Sequence, residues 1–170
     1  MNSKWNKIIF TGFLLLVVVF QVSFLGRWKI PDAYFNPALA VLILNIFLGG
    51  RFREVAGAAL AASLILDAFS GLGFGITAFS LILTVWLADL SSILLPRKSI
   101  FHFFLFIILS SIIFNASIFS LMNLSFFVGI YPNNLSINIL SFFIGTLWGA
   151  LANVVLGILF YLPFKRWITL

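Results

Sequence analysis

Six apolar runs, separated by short polar or turn-forming stretches, fill most of this chain. They predict helices at about residues 8–25, 34–49, 55–69, 76–95, 100–121 and 137–162. The first follows Lys4 and Lys7 and resembles the charged start and apolar core of a secretory signal. Its length, and the lack of a small-residue cleavage site in Gln21-Val22-Ser23-Phe24, predict a retained helix instead. The second carries Pro37 in its first turn, where proline is tolerated. The third is short for a bilayer span, which needs about 20 apolar residues. A glycine-rich turn, Ser70-Gly71-Leu72-Gly73-Phe74-Gly75, leads into the fourth, which Pro96 stops. The fifth stretch, Ile100 to Ile130, exceeds one straight span, so a span to about Leu121 and then a bent or interfacial segment is expected. Tyr131-Pro132-Asn133-Asn134 is a turn signal ahead of the last helix.

Composition turns this pattern into a membrane assignment. Of 170 residues, 63% are hydrophobic and 8% charged, a balance that would leave a water-soluble globule with large apolar patches exposed. Residues 1–170 are expected to form a single all-α transmembrane domain. The ten basic residues fall as five pairs between the apolar runs, unlike the one-sided cluster of a nucleic-acid surface. With six spans and an inside N-terminus, Lys4, Lys7, Arg51, Arg53, Arg97, Lys98, Lys165 and Arg166 lie inside, and only Arg27 and Lys29 outside. That bias follows the positive-inside rule and predicts both termini in the cytosol. Trp5, Tyr161 and Trp167 then mark the inner boundary, and Trp28, Tyr34 and Tyr131 the outer one.

Little catalytic chemistry is on offer. Without cysteine, disulfides, thiolate metal sites and cysteine nucleophiles are excluded. Ionisable groups within apolar runs are expensive and are functional candidates by default; here they are Asp67, Asp89 and His102. Asp89 lies 14 residues beyond Gly75, about 21 Å along a helix, so it is not expected to meet Asp67. Asp67 can accept backbone N–H bonds at the following turn, or contact a ligand or partner. Asp89 can snorkel toward Arg97 and Lys98, and His102 can rest at the headgroup level. One histidine does not make a metal cage, and no nucleophile elbow or phosphate loop is present. Neither enzyme activity nor a cofactor or metal is expected.

Helix packing gives a stronger pattern. Gly145, Gly149, Asn153 and Gly157 recur every four residues and so share one helix face. Such a stripe permits close helix approach, either within the bundle or against a partner's helix, and Asn153 can hydrogen-bond across it. Gly57/Ala61 and Ala58/Ala62 repeat the spacing in the third helix. Gln21, Asn45 and Asn115 are further candidates for interhelical hydrogen bonds.

The stretch Leu64-Ile65-Leu66-Asp67-Ala68-Phe69-Ser70-Gly71, followed by Gly75 and Ala78, resembles the rod shape-determining protein MreD family. Asn36-Pro37 and the basic connection before the third helix are similar to it as well, so the likeness in residues covers about 31–95. It implies a non-enzymatic scaffold of the bacterial cell-elongation machinery, binding an MreC-like membrane protein and, indirectly, MreB and a RodA–PBP2-like peptidoglycan synthase. It also implies a six-helix bundle like that of transporter S components, with Asp67, Gly71 and Gly75 shaping the turn between the third and fourth helices. The alternative is an S component of an energy-coupling-factor vitamin transporter, which needs convergent polar groups in the outer half.

Overall fold

A computed structural model describes residues 3–23, 35–70, 75–94, 100–129 and 139–168. The fold is all-helical: α1 (Ser3–Ser23), α2 (Pro37–Phe47), α3 (Phe52–Ser70), α4 (Ile76–Leu94), α5 (Ile100–Phe127) and α6 (Ile139–Ile168). Among the described residues, parts of α4, α5 and α6 (Ile76–Ile93, Ile100–Phe127 and Leu140–Tyr161) are long and apolar enough to cross a membrane. Several boundary markers lie outside the described residues: Arg27, Trp28, Lys29, Tyr34, Arg97, Lys98 and Tyr131.

α2 is the centre of the bundle and packs against each of the other five helices. Ten of its eleven residues are buried, Asn45 alone being half-buried. A helix apolar on every side belongs inside protein or lipid, and here it is sheathed by protein. The second apolar run was expected to span about 34–49. The helix is Pro37–Phe47, about 16 Å long, roughly half the hydrocarbon thickness of a bilayer. Its start is set by Asn36, whose side-chain Oδ1 accepts from Leu39 N–H at 3.1 Å, and by Pro37 in the first turn.

Contacts along the helices fix their directions. Beside the start of α2, Asn36 N–H donates to Asn153 of α6, which in turn donates to Ser111 of α5. At its other end Phe47 packs against Phe103 of α5 and Tyr161 of α6, with ring centres 5.0 Å and 6.5 Å away. Phe103 and Tyr161 stack at 5.1 Å. α5 therefore runs antiparallel to α2 and α6. α1 runs opposite to α2, since Gln21 meets Ala38 at one end and Phe13 meets Phe160 of α6 further down. α1 begins and α6 ends at the aromatic end of the bundle, where Arg51 and Arg53 are exposed ahead of and within the first turn of α3.

α5 corrects a second expectation. It does not break near Leu121 but continues as one helix to Phe127, 28 residues in all or about 42 Å. Its last turns carry Leu124, Phe126 and Phe127 exposed. Nothing in Ser120–Phe127 interrupts a helix: the stretch has neither proline nor glycine, and Ser125 turns its hydroxyl back onto the Leu121 carbonyl at 2.8 Å.

The core joins Leu14 and Val18 of α1, Leu39 to Ile46 of α2, Ala59 and Ala62 of α3, Leu81 and Val85 of α4, and Phe103 to Ile118 of α5. Leu42, with no exposed surface, is at its heart, whereas Leu151 of α6 is 55% exposed. Leu42→Ala is expected to cost about 2–5 kcal/mol, the usual range for a buried leucine. Leu151→Ala, which opens no core cavity, is expected to cost far less. Thermal unfolding in detergent, followed by the fluorescence of the five tryptophans, distinguishes them; equal melting temperatures for the two variants would contradict a core centred on α2.

Candidate functional site

Two helices, α2 and α4, begin in buried surroundings, and each start exposes backbone N–H groups that lack intrahelical partners. In an apolar interior an unpaired backbone group costs free energy comparable to a lost hydrogen bond. Both starts are met by side chains from other helices. Asp67, 4% exposed near the end of α3, receives three backbone N–H groups. Gly75 and Ala78 donate to its Oδ2 at 2.8 and 3.1 Å, and Thr77 donates to Oδ1 at 2.8 Å. A carboxylate at a helix N-terminus also complements the macrodipole, and charge-assisted bonds of this kind are the strong ones.

Gly75 makes this geometry possible. Its φ of +97° lies in the left-handed region, where a side chain would be strained. The chain can thereby turn sharply into α4 and present the N–H groups of Gly75, Thr77 and Ala78 to one carboxylate. Asp67 thus takes the first of its expected roles, as acceptor of backbone N–H bonds. Gly71 lies outside the described residues.

The start of α2 is held from three sides. Gln21 Oε1 of α1 accepts from Ala38 N–H at 3.2 Å. Asn36 caps its own helix, and Asn153 Oδ1 of α6 accepts from Asn36 N–H at 3.2 Å. Asn153 Nδ2 donates onward to Ser111 Oγ at 3.1 Å. Four helices meet through this chain of polar groups. Gln21 and Asn153 were expected to bond between helices, and they do so. Ser111 was not anticipated, because serine in an apolar helix carries no partner signal, and Asn36-Pro37 was noted for its place ahead of the second helix and its likeness to the family, not for these bonds.

The remaining candidates are scattered. Thr77 is bound to Asp67, and Asp89 lies 12 residues further along α4, about 18 Å away. The two carboxylates do not form a pair. Asp89 is half-buried, and half-buried His102 sits near the start of α5 with a buried Nδ1 lacking a hydrogen-bond partner. Among the described residues no group of three or more His, Asp or Glu is placed to hold a metal ion.

The glycine stripe of α6 faces inward. Gly145, Gly149, Asn153 and Gly157 are all buried, and a Cβ on Gly157 would collide with Ile107 Cδ1 and come within 3.2 Å of Phe103 Cζ. The stripe is thus buried within the bundle, Gly157 against α5 and Asn153 against both α5 and the start of α2. The outward face of α6 carries Phe143, Leu147, Trp148, Leu151 and Val155 instead.

No family model matches this chain, and neither a curated protein nor a solved structure matches it.

Asp67→Ala would strand three N–H groups, two of them in buried bonds, and a loss of about 1–3 kcal/mol for each buried unsatisfied donor is expected. Asp67→Asn keeps one acceptor oxygen and is expected to fall between. Amide hydrogen exchange at Thr77 and Ala78 should accelerate in both variants, most in the alanine; unchanged exchange would remove Asp67 from this role.

Proposed function

We propose that this chain is a multi-pass scaffold of the bacterial inner membrane, of the MreD type, that docks an MreC-like membrane protein. Through that partner it is linked to MreB and to a RodA–PBP2-like peptidoglycan synthase. The observation that carries the reading is the α3–α4 turn. The Leu-x-Asp ending of α3, the feature most like that family, commits its carboxylate to three backbone N–H groups. A side chain so occupied builds shape and leaves no free acid to drive chemistry, which supports a non-enzymatic role. The separation of Asp67 from Asp89 supports it from the other side.

In this reading the six helices lie in the bilayer with both chain ends in the cytosol, as the distribution of basic pairs favours. Lipid contacts the outward faces of the bundle, rich in Leu, Ile, Phe and Trp. α2 is too short to cross by itself. It needs no full crossing, because backbone ends at membrane depth are tolerated when buried in protein with their polar groups satisfied. Its caps by Gln21, Asn36 and Asn153 meet that requirement.

Affinity capture of the tagged full-length protein from detergent-solubilised bacterial membranes tests the proposal. An MreC-like protein is expected among the recovered partners. Recovery of an ATPase-linked transporter module in its place would overturn the scaffold reading in favour of a transporter subunit.

A further inference from the structure

Serine and threonine in apolar helices commonly turn their hydroxyls onto a carbonyl of the preceding turn. Ser63, Thr84, Ser91, Ser92, Ser117 and Ser125 all do so here, at 2.7–2.9 Å. Thr77, Ser80 and Thr146 do not: their hydroxyls are buried without a hydrogen-bond partner among the described residues. Asn115 is in the same condition at both its Oδ1 and its Nδ2, and has no exposed surface.

These four side chains lie at one level of the bundle. Ser80 and Thr77 are 14 and 17 residues before the end of α4 at Leu94. Asn115 is 15 residues after the start of α5 at Ile100. Since α4 packs on α5 and is joined to it by a short connection, antiparallel packing brings Ser80 beside residues 114–115 of α5 and Thr77 beside residue 117. On the third side, Asn153 bonds Ser111, and Thr146 is seven residues, two turns, nearer the start of α6. It comes level with residue 118 of α5. All four fall within about one helical turn, 6 Å, along the axis. α2 does not fill this layer with its apolar face, because its N-cap Asn36 meets Asn153 at the level of Ser111, one turn below Asn115.

We propose that Thr77, Ser80, Asn115 and Thr146 form a sealed internal hydration site, in which ordered water bridges α4, α5 and α6 above the start of α2. The donor set fixes the chemical class. One amide and three hydroxyls, each able to donate and accept, suit a neutral hydrogen-bonding occupant. Among the described residues, the charged group bonded to this end of α4, Asp67, already accepts from backbone N–H groups of Gly75, Thr77 and Ala78. The enclosure fixes the size: exposure of the four side chains is 0–5%, which suits water and not an organic solute entering from outside. Buried waters characteristically make about three bonds to polar groups that protein partners leave unmet.

Radiolytic hydroxyl-radical footprinting of the full chain in lipid nanodiscs tests this, because bound internal water generates radicals that label its immediate neighbours. Phe114 and Ile118 flank Asn115 on α5, while Phe103 and Ile107 are comparably buried lower on the same helix. Labelling of the first pair is expected to exceed that of the second by about threefold or more, given water held beside Asn115. Asn115→Leu should abolish the excess, and Ser80→Ala, a smaller change that keeps the fold if the leucine variant does not, should reduce it. Equal labelling of the two pairs in the unaltered protein would overturn the proposal. So would release of a stoichiometric neutral organic molecule on denaturing the purified protein, detected by mass spectrometry, since that would make the occupant a solute.

Discussion

A helix that starts inside an apolar bundle has donors and no water to receive them, and the architecture of this protein answers that constraint twice. At α4 the answer is a carboxylate delivered by the preceding helix; at α2 it is a set of neutral amides from α1, from the cap position and from α6. Buried polar groups are stabilising only when their partners are in place, so each cap also fixes the position of the helix that supplies it. Asp67 ties the end of α3 to the start of α4. Gln21 and Asn153 tie α1 and α6 to α2, and Ser111 extends the tie to α5.

The two ends of α2 are held by different physics. At its start the contacts are directional hydrogen bonds. At its finish they are apolar and aromatic, with Phe47 set among Phe103, Phe106 and Tyr161. Directional bonds set register, while aromatic packing supplies burial and tolerates small shifts. Together they hold an eleven-residue helix that has little stability of its own. Its neighbours in turn have a common apolar column to pack against, which is why five helices otherwise surrounded by exposed leucine, isoleucine and phenylalanine form one bundle.

Much of this was legible in the residues. The six apolar runs correspond to six helices, and the boundaries agree within a few residues for α3 and α4. The carboxylate at the α3–α4 turn could be anticipated from its place ahead of a loop, and the bonding asparagine on α6 from its four-residue spacing with glycines. What the residues could not show was which apolar helix faces protein on every side. The runs that became α2 and α5 look alike in hydropathy, since lipid and a protein core select the same side chains. The end of α5 was missed for a related reason: length suggested a break, but no residue between Leu121 and Phe127 enforces one. The inward direction of the Gly145–Gly157 stripe was equally invisible, because close approach to a neighbour within the chain needs the same small residues as approach to a partner.

The central claim, that side chains from other helices secure the buried start of α2, is tested most directly by amide exchange at Ala38 and Leu39 in the detergent-solubilised protein. In the unaltered chain these amides are expected to exchange as slowly as Leu42 in the middle of the helix. In Gln21→Leu, Ala38 should exchange markedly faster while Leu42 is unchanged. Fast exchange at Ala38 and Leu39 in the unaltered protein, or no response to the loss of Gln21, would contradict the account.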